Sequence, residues 1–155
     1  MVLLPAALAL GGRNAPCKDP NMIPKLFRVI LPVSNIGRAA QFYEEVLGIS
    51  GIRVAPGRHY FDCGGTILAC FDPRADGDEY DARPNPEWLY FAVDEIEAVL
   101  ERSRRAGAVM ASEDIHGTPA GEIGTRPWGE RSFYVVDPFG NKLCFVDRST
   151  AFTGR

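Results

Sequence analysis

Arg28-Val29-Ile30-Leu31-Pro32-Val33-Ser34-Asn35 leads into a stretch of helical spacing, and Trp88-Leu89-Tyr90-Phe91-Ala92-Val93-Asp94-Glu95 leads into another. A second echo pairs Asp62-Cys63-Gly64-Gly65-Thr66-Ile67-Leu68-Ala69-Cys70-Phe71-Asp72 with Asp137-Pro138-Phe139-Gly140-Asn141-Lys142-Leu143-Cys144-Phe145-Val146-Asp147. Few residues are identical; the pattern is what repeats. In the first stretch Val29, Leu31 and Val33 alternate with Arg28, Ile30 and Pro32, the period of a half-buried strand. Leu89, Phe91 and Val93 alternate in the same way with Trp88, Tyr90 and Ala92. A duplicated module sets equivalent positions of two half-sheets around a shared space, so the side chains at those positions report what the space holds.

Working outward, Ser34 or Asn35 suits a helix N-cap, and Ile36, Ala39, Ala40, Phe42, Tyr43, Val46 and Leu47 recur at helical spacing until Gly48 stops the run. Short strands are expected at Ile52–Ala55, at residues 59–62 and at Thr66–Phe71, the last two joined by a Gly-Gly hairpin turn. Residues 72–86 are rich in Asp, Pro, Arg and Gly without periodicity and read as a solvated linker. The second module then repeats the order, with a helix over residues 95–106 ended by Gly107 and strands near 108–111, 131–136 and 142–146. The interval between echoes is sixty residues at Arg28 and Trp88 but seventy-five at Ala69 and Cys144, so module two carries extra residues. They fall in 112–130, a Gly- and Pro-rich segment with His116, Arg126 and Trp128. It is either a binding loop or lid, or a plain surface insertion.

At 155 residues the chain is one domain's worth. Its 46% hydrophobic and 24% charged residues are the balance of an ordinary globular protein, not of a disordered or membrane chain. A net charge of −3 supplies no basic field for a phosphate backbone, so nucleic acid is not an expected partner, and neither is a membrane. Cys17, Cys63, Cys70 and Cys144 show no Cys-x-x-Cys spacing and no disulfide framework, which points to reduced thiols in a cytoplasm. Residues 2–10 resemble the apolar part of a signal peptide, but no Lys or Arg precedes them and Pro5 interrupts them. Residues 1–21 therefore read as a flexible N-terminal extension, with Met22 as an alternative start, against an export signal. The expected organisation is a single domain over 22–155, with module one at 22–72, a linker at 73–86 and module two at 87–148.

Arg126-Pro127-Trp128-Gly129-Glu130-Arg131-Ser132-Phe133, followed by Asp137-Pro138-Phe139-Gly140-Asn141, is the most telling combination of motifs. With Ala39-Ala40-Gln41-Phe42-Tyr43 and Leu47-Gly48 it resembles the vicinal oxygen chelate superfamily of glyoxalases, bleomycin-resistance proteins and dioxygenases, and in particular its bleomycin-resistance-like branch. The resemblance runs from Met22 to Asp147. It implies an α+β fold, in which two βαβββ modules form a cup-shaped mixed β-sheet with helices on the outer face. It also implies a homodimer, with pockets at module or subunit interfaces. Metal enzymes of the superfamily take ligands from the first and last strands of each module, which correspond here to Arg28, Ala69, Trp88 and Cys144. Arg28, Ala69 and Trp88 offer no lone pair, and one thiol does not make a three- or four-ligand site. His59 and His116 sit at neither the family's positions nor a ligand spacing. The expectation is a cup without a metal or other cofactor.

Alternation places Arg28, Ile30, Ala69, Phe71, Trp88, Tyr90, Lys142 and Cys144 on the inward face. Such an aromatic, mostly apolar wall suits a flat organic ligand, or else fills a collapsed core. Arg28 should meet a carboxylate, from the protein or from a ligand, because burying an unpaired guanidinium costs several kcal/mol. That sits poorly with bleomycin, which is cationic. Cys144 is either a small buried hydrophobe or a reactive thiol, Asp137 shapes its turn, and no Gly-x-Ser-x-Gly elbow is present, so no catalytic residue is assigned. The expected function is metal-independent binding of a small molecule by Arg28, Ile30, Trp88, Tyr90, Trp128 and Cys144. The alternatives are a metal-dependent lyase, isomerase or dioxygenase, and an interaction module with a filled cup.

Overall fold

Asn35 marks the first junction between strand and helix. Its backbone is extended and its side-chain Oδ1 accepts from the Arg38 N–H at 2.9 Å, so the strand β1 (Arg28–Pro32) hands over to the helix α1 (Ile36–Leu47) at a satisfied cap. Gly48, at φ +67°, closes α1 in the left-handed conformation that suits a residue without Cβ. The computed structural model describes residues 22–154. The expectations for residues 1–21, Cys17 included, fall outside the described residues.

Module one continues with β2 (Ile52–Ala55), β3 (Arg58–Cys63) and β4 (Thr66–Phe71), in the sheet order β1-β4-β3-β2. Module two repeats this with β5 (Leu89–Val93), α2 (Ile96–Arg105), β6 (Val109–Met110), β10 (Arg131–Val136) and β11 (Lys142–Asp147), in the order β5-β11-β10-β6. In each sheet the first strand runs parallel to the last and the other neighbours are antiparallel. The α+β architecture and the mixed sheets are those the family resemblance implies. The two sheets share no ladder, and β1 and β5 each remain an edge strand.

The faces follow the alternation. Leu31, Val33, Phe61, Leu68 and Cys70 of module one and Phe133, Val135, Leu143 and Phe145 of module two join the inner faces of both helices in one buried cluster. At about 25 cal/mol per Å² of apolar surface removed from water, this shared core is the main force holding the modules together. One polar clasp reinforces it: the Tyr43 hydroxyl donates to Asp137 Oδ2 at 2.5 Å, and Asn141 Nδ2 donates to the Pro32 carbonyl at 2.7 Å. Burial, and then the Asp137 charge, push the Tyr43 hydroxyl well above its usual pKa, so it stays protonated and remains a donor.

Two segments differ from the sequence-based expectation. The linker is pinned at its start, where Asp76 holds Arg58 at 2.8 Å and the Asp72 carboxylate accepts from the Ala75 N–H. Residues 112–130 are not a bare loop. They carry β7 (Asp114–Ile115), β8 (Thr118–Pro119) and β9 (Gly124–Thr125), the first two paired with each other and the last with β10.

Candidate functional site

On the face of sheet one turned away from the helices, the register sets Ile30 beside Ala69 and Ala69 beside Tyr60. The equivalent row in sheet two is Tyr90, Cys144, Tyr134. The positions taken from the sequence thus fall into two matching rows, one per module.

In row one Arg28 lies 4.8 Å from the Phe27 ring centre and 4.9 Å from that of Tyr60, and next to it Arg58 lies 4.4 Å over Phe71. Arg58 is neutralised by Asp76, whereas Arg28 has no carboxylate partner among the described residues. The expected alternative of an internal salt bridge is replaced by two aromatic faces. The guanidinium is exposed, so hydration and cation–π contact meet its needs without a counter-charge. Ile30, 42% exposed, lies open beside it.

Row two is partly covered. Trp88 packs edge-on against Tyr134 with ring centres 5.0 Å apart, Lys142 Nζ lies 5.3 Å from the Trp88 ring centre, and Tyr90 reaches the Tyr134 hydroxyl at 3.3 Å while staying 54% exposed. Cys144 was expected on the wall but lies beneath it, fully buried among Tyr134, Trp88 and the insertion residues Ile115 and Ala120. Burial pushes its thiol up to about 12, the opposite of a reactive thiolate. Trp128 is exposed in the turn between β9 and β10, its indole N–H donating to Glu130 Oε2 at 2.9 Å, and makes no aromatic contact with Trp88 or Tyr90 among the described residues.

Arg126 was noted only as part of the insertion and is the residue that holds it down. It is 2% exposed, donates to the carbonyls of Ser132 at 2.7 Å and Glu122 at 2.9 Å and to Ser132 Oγ at 3.0 Å, and lies 5.3 Å from the Tyr134 ring centre. Tyr60 and Tyr134, matched residues of β3 and β10, each lie under an arginine. Their alternation was readable; which arginine covers each ring was not, because Arg126 arrives through a loop.

The superfamily implies a metal, and the donor set can be tested directly. Arg28, Ala69 and Trp88 have no ligating atom, the Cys144 thiol is buried and protonated, and no three His, Cys, Asp or Glu side chains gather among the described residues. These residues do not fit a metal centre. His59 is buried in β3 on the helix side, and His116 sits at the tip of the β7–β8 turn with φ 50°.

Comparison with known proteins agrees with the duplicated architecture. A curated relative, virulence protein STM3117 of Salmonella typhimurium, is 26% identical over 126 residues, covering 79% of this chain and 83% of its own. A glyoxalase-related enzyme from Fulvimarina pelagi superposes with a TM-score of 0.64 at 20% identity, over 81% of this chain and 88% of that one. A lactoylglutathione lyase from Agrobacterium tumefaciens superposes with a TM-score of 0.60 at 20% identity, over 84% and 99%. At such identities the two structures establish the fold alone. The sequence model of the Glyoxalase/Bleomycin resistance protein/Dioxygenase superfamily matches residues 25–145, which covers both modules and every position compared above, and the chain belongs to that superfamily.

Proposed function

We propose that this chain is a metal-independent binding protein for small aromatic molecules that carry a carboxylate or carbonyl, acting by sequestration. The observation that carries the reading is Arg28: an exposed guanidinium stacked on Phe27 and Tyr60, without a carboxylate partner among the described residues, at a position where the superfamily's metal enzymes place a ligand. A guanidinium so placed offers a planar fork of donors to an anionic group while the adjoining aromatic faces take a ring. Ile30, Trp88 and Tyr90 supply the rest of the wall.

The same reading includes a homodimer that brings a second copy to the open face, where Ile30, Ile52 and Tyr90 are exposed. It also includes a cytoplasmic location, without nucleic-acid or membrane partners. No helix among the described residues is long and apolar enough to cross a membrane.

A thermal-shift screen of arylcarboxylates against their amides and against aromatic cations tests the proposal, since a ligand selective for the folded state raises its apparent stability. Carboxylates should raise the melting temperature in wild type and lose the effect in Arg28→Ala and Trp88→Ala. The rival reading, a metal-dependent lyase, isomerase or dioxygenase, takes its support from the named relatives. Stoichiometric zinc, nickel, iron or manganese surviving dialysis would establish it and overturn the first.

A further inference from the structure

The two modules repeat one order of elements, but the Tyr43–Asp137 and Asn141–Pro32 bonds that clasp them on one side have no counterpart at the equivalent positions on the other. On the closed side the β10–β11 turn, Pro138-Phe139-Gly140, packs Phe139 against the shared core, while Asp137 and Asn141 take the Tyr43 hydroxyl and the Pro32 carbonyl. The sixty-residue interval makes Ser103 the counterpart of Tyr43 and Ala92 that of Pro32, and the seventy-five-residue interval makes Thr66 the counterpart of Asn141. None of these makes the matching contact. Ser103 turns back to the Val99 carbonyl at 2.8 Å, Thr66 donates to the Leu26 carbonyl at 2.8 Å, and the Ala92 carbonyl is taken by Arg148 at 3.1 Å. The β3–β4 turn is Gly64-Gly65, with φ +70° and +99°, and a Cβ built on Gly64 meets nothing within 4 Å.

Between the β3–β4 turn and β5 lies a groove of about 670 Å³, lined by Gly64, the counterpart of Phe139, and by Thr66. Val46, Leu47 and Val99 of the helices line it, as does Arg102, whose guanidinium bonds the Val46 carbonyl. Every residue from Leu89 to Asp94 also lines it, so β5 presents its backbone edge as well as side chains. At the mouth stands Asp62, counterpart of the carboxylate that receives Tyr43. One of its oxygens accepts from the Gly65 N–H at 2.6 Å, and the other takes no hydrogen bond from a described residue. The volume lies within the roughly 300–1,000 Å³ of small-molecule sites.

We propose that this groove is a binding site for a small phenol, whose ring takes the place that Gly64 leaves where its counterpart Phe139 fills the other side, and whose hydroxyl donates to Asp62 as Tyr43 donates to Asp137. The complementarity is that of donor to carboxylate, with apolar walls for the ring and the open β5 edge for an amide beside it. The site lies beside the strand edges and shares only Tyr90 with the face of Arg28 and Trp88, and it stands whether or not the arylcarboxylate reading does.

The probe is N-acetyl-L-tyrosinamide, which combines a phenol with amides. In a titration of the isotope-labelled full chain followed by amide and methyl NMR, saturable shifts should map to Cys63, Leu89, Phe91 and Val99. Affinity should fall about tenfold for N-acetyl-L-phenylalaninamide and for Asp62→Ala, the loss expected for one hydrogen bond to a charged group. Cys63→Phe, checked for folding by circular dichroism, should abolish it, while Trp88→Ala should leave it unchanged. Absence of saturable shifts in the wild type overturns the proposal, and so do shifts confined to Arg28, Tyr60 and Trp88. Groove signals that move with protein concentration and not with the probe also overturn it, and give the groove to a second copy of the chain.

Discussion

His59 shows how much one buried side chain can couple this fold to pH. It is 7% exposed, its Nδ1 receives the Arg53 Nε–H at 3.4 Å, and its Nε2 lies 3.7 Å from Glu44 Oε1, beyond a hydrogen bond. Burial chiefly, and the Arg53 charge next, lower its pKa, with Glu44 opposing. The folded state therefore takes up a proton less readily than the unfolded chain, whose histidines titrate near 6.5. Stability should be full above that pH and fall as pH drops from about 6.5 through the lowered folded pKa. Urea midpoints between pH 7.5 and 5 should show this decline, and His59→Gln should flatten it; an unchanged slope in the variant would assign the decline to other groups. The Tyr43–Asp137 bond is a second single-residue test. Tyr43→Phe keeps the ring and removes the donor, so it should cost about 2 kcal/mol in urea unfolding at pH 7.

Among the elements, α1 was readable nearly from end to end: the apolar spacing and Gly48 as stop stand where the structure has them, and of the two candidate caps, Ser34 and Asn35, the structure takes Asn35. Gly48→Ala should lower stability by about 1 kcal/mol, because alanine at φ +67° meets a Cβ clash that glycine avoids. The insertion was readable only as extra length. Its hold on sheet two rests on Arg126, which bonds carbonyls of Glu122 and Ser132 and lies against Tyr134. Arg126→Ala should cost about 3 kcal/mol and speed amide hydrogen exchange across residues 112–130 while leaving β4 protected. If those amides exchange as slowly as in wild type, the segment is held by its own strands instead.

At the scale of the whole molecule, the open faces of both sheets carry apolar side chains that a lone subunit leaves in water, Ile52 at 70% exposure and Tyr90 at 54%. Sedimentation equilibrium should accordingly find a mass near twice the 17.0 kDa of one chain, and Ile52→Asp should shift it toward the single-chain mass. The repeat explains why the chain has one core and two unlike sides. Equivalent strands and helices bury equivalent apolar faces, but the turn residues have diverged, Phe139 and Asn141 on one side against Gly64 and Thr66 on the other.

Strand and helix periodicity, the duplicated order of elements and the presence of only one ligating side chain, Cys144, among the four matched positions were determined by the sequence alone, because each depends on residue type and local spacing. Tertiary structure decided the rest. Arg28 lies against aromatic rings and not in a salt bridge with a described residue, Cys144 fell beneath the wall it was thought to line, and Arg126 folded back to cover Tyr134. Those outcomes depend on which distant groups meet across strands and loops, and no local period encodes that.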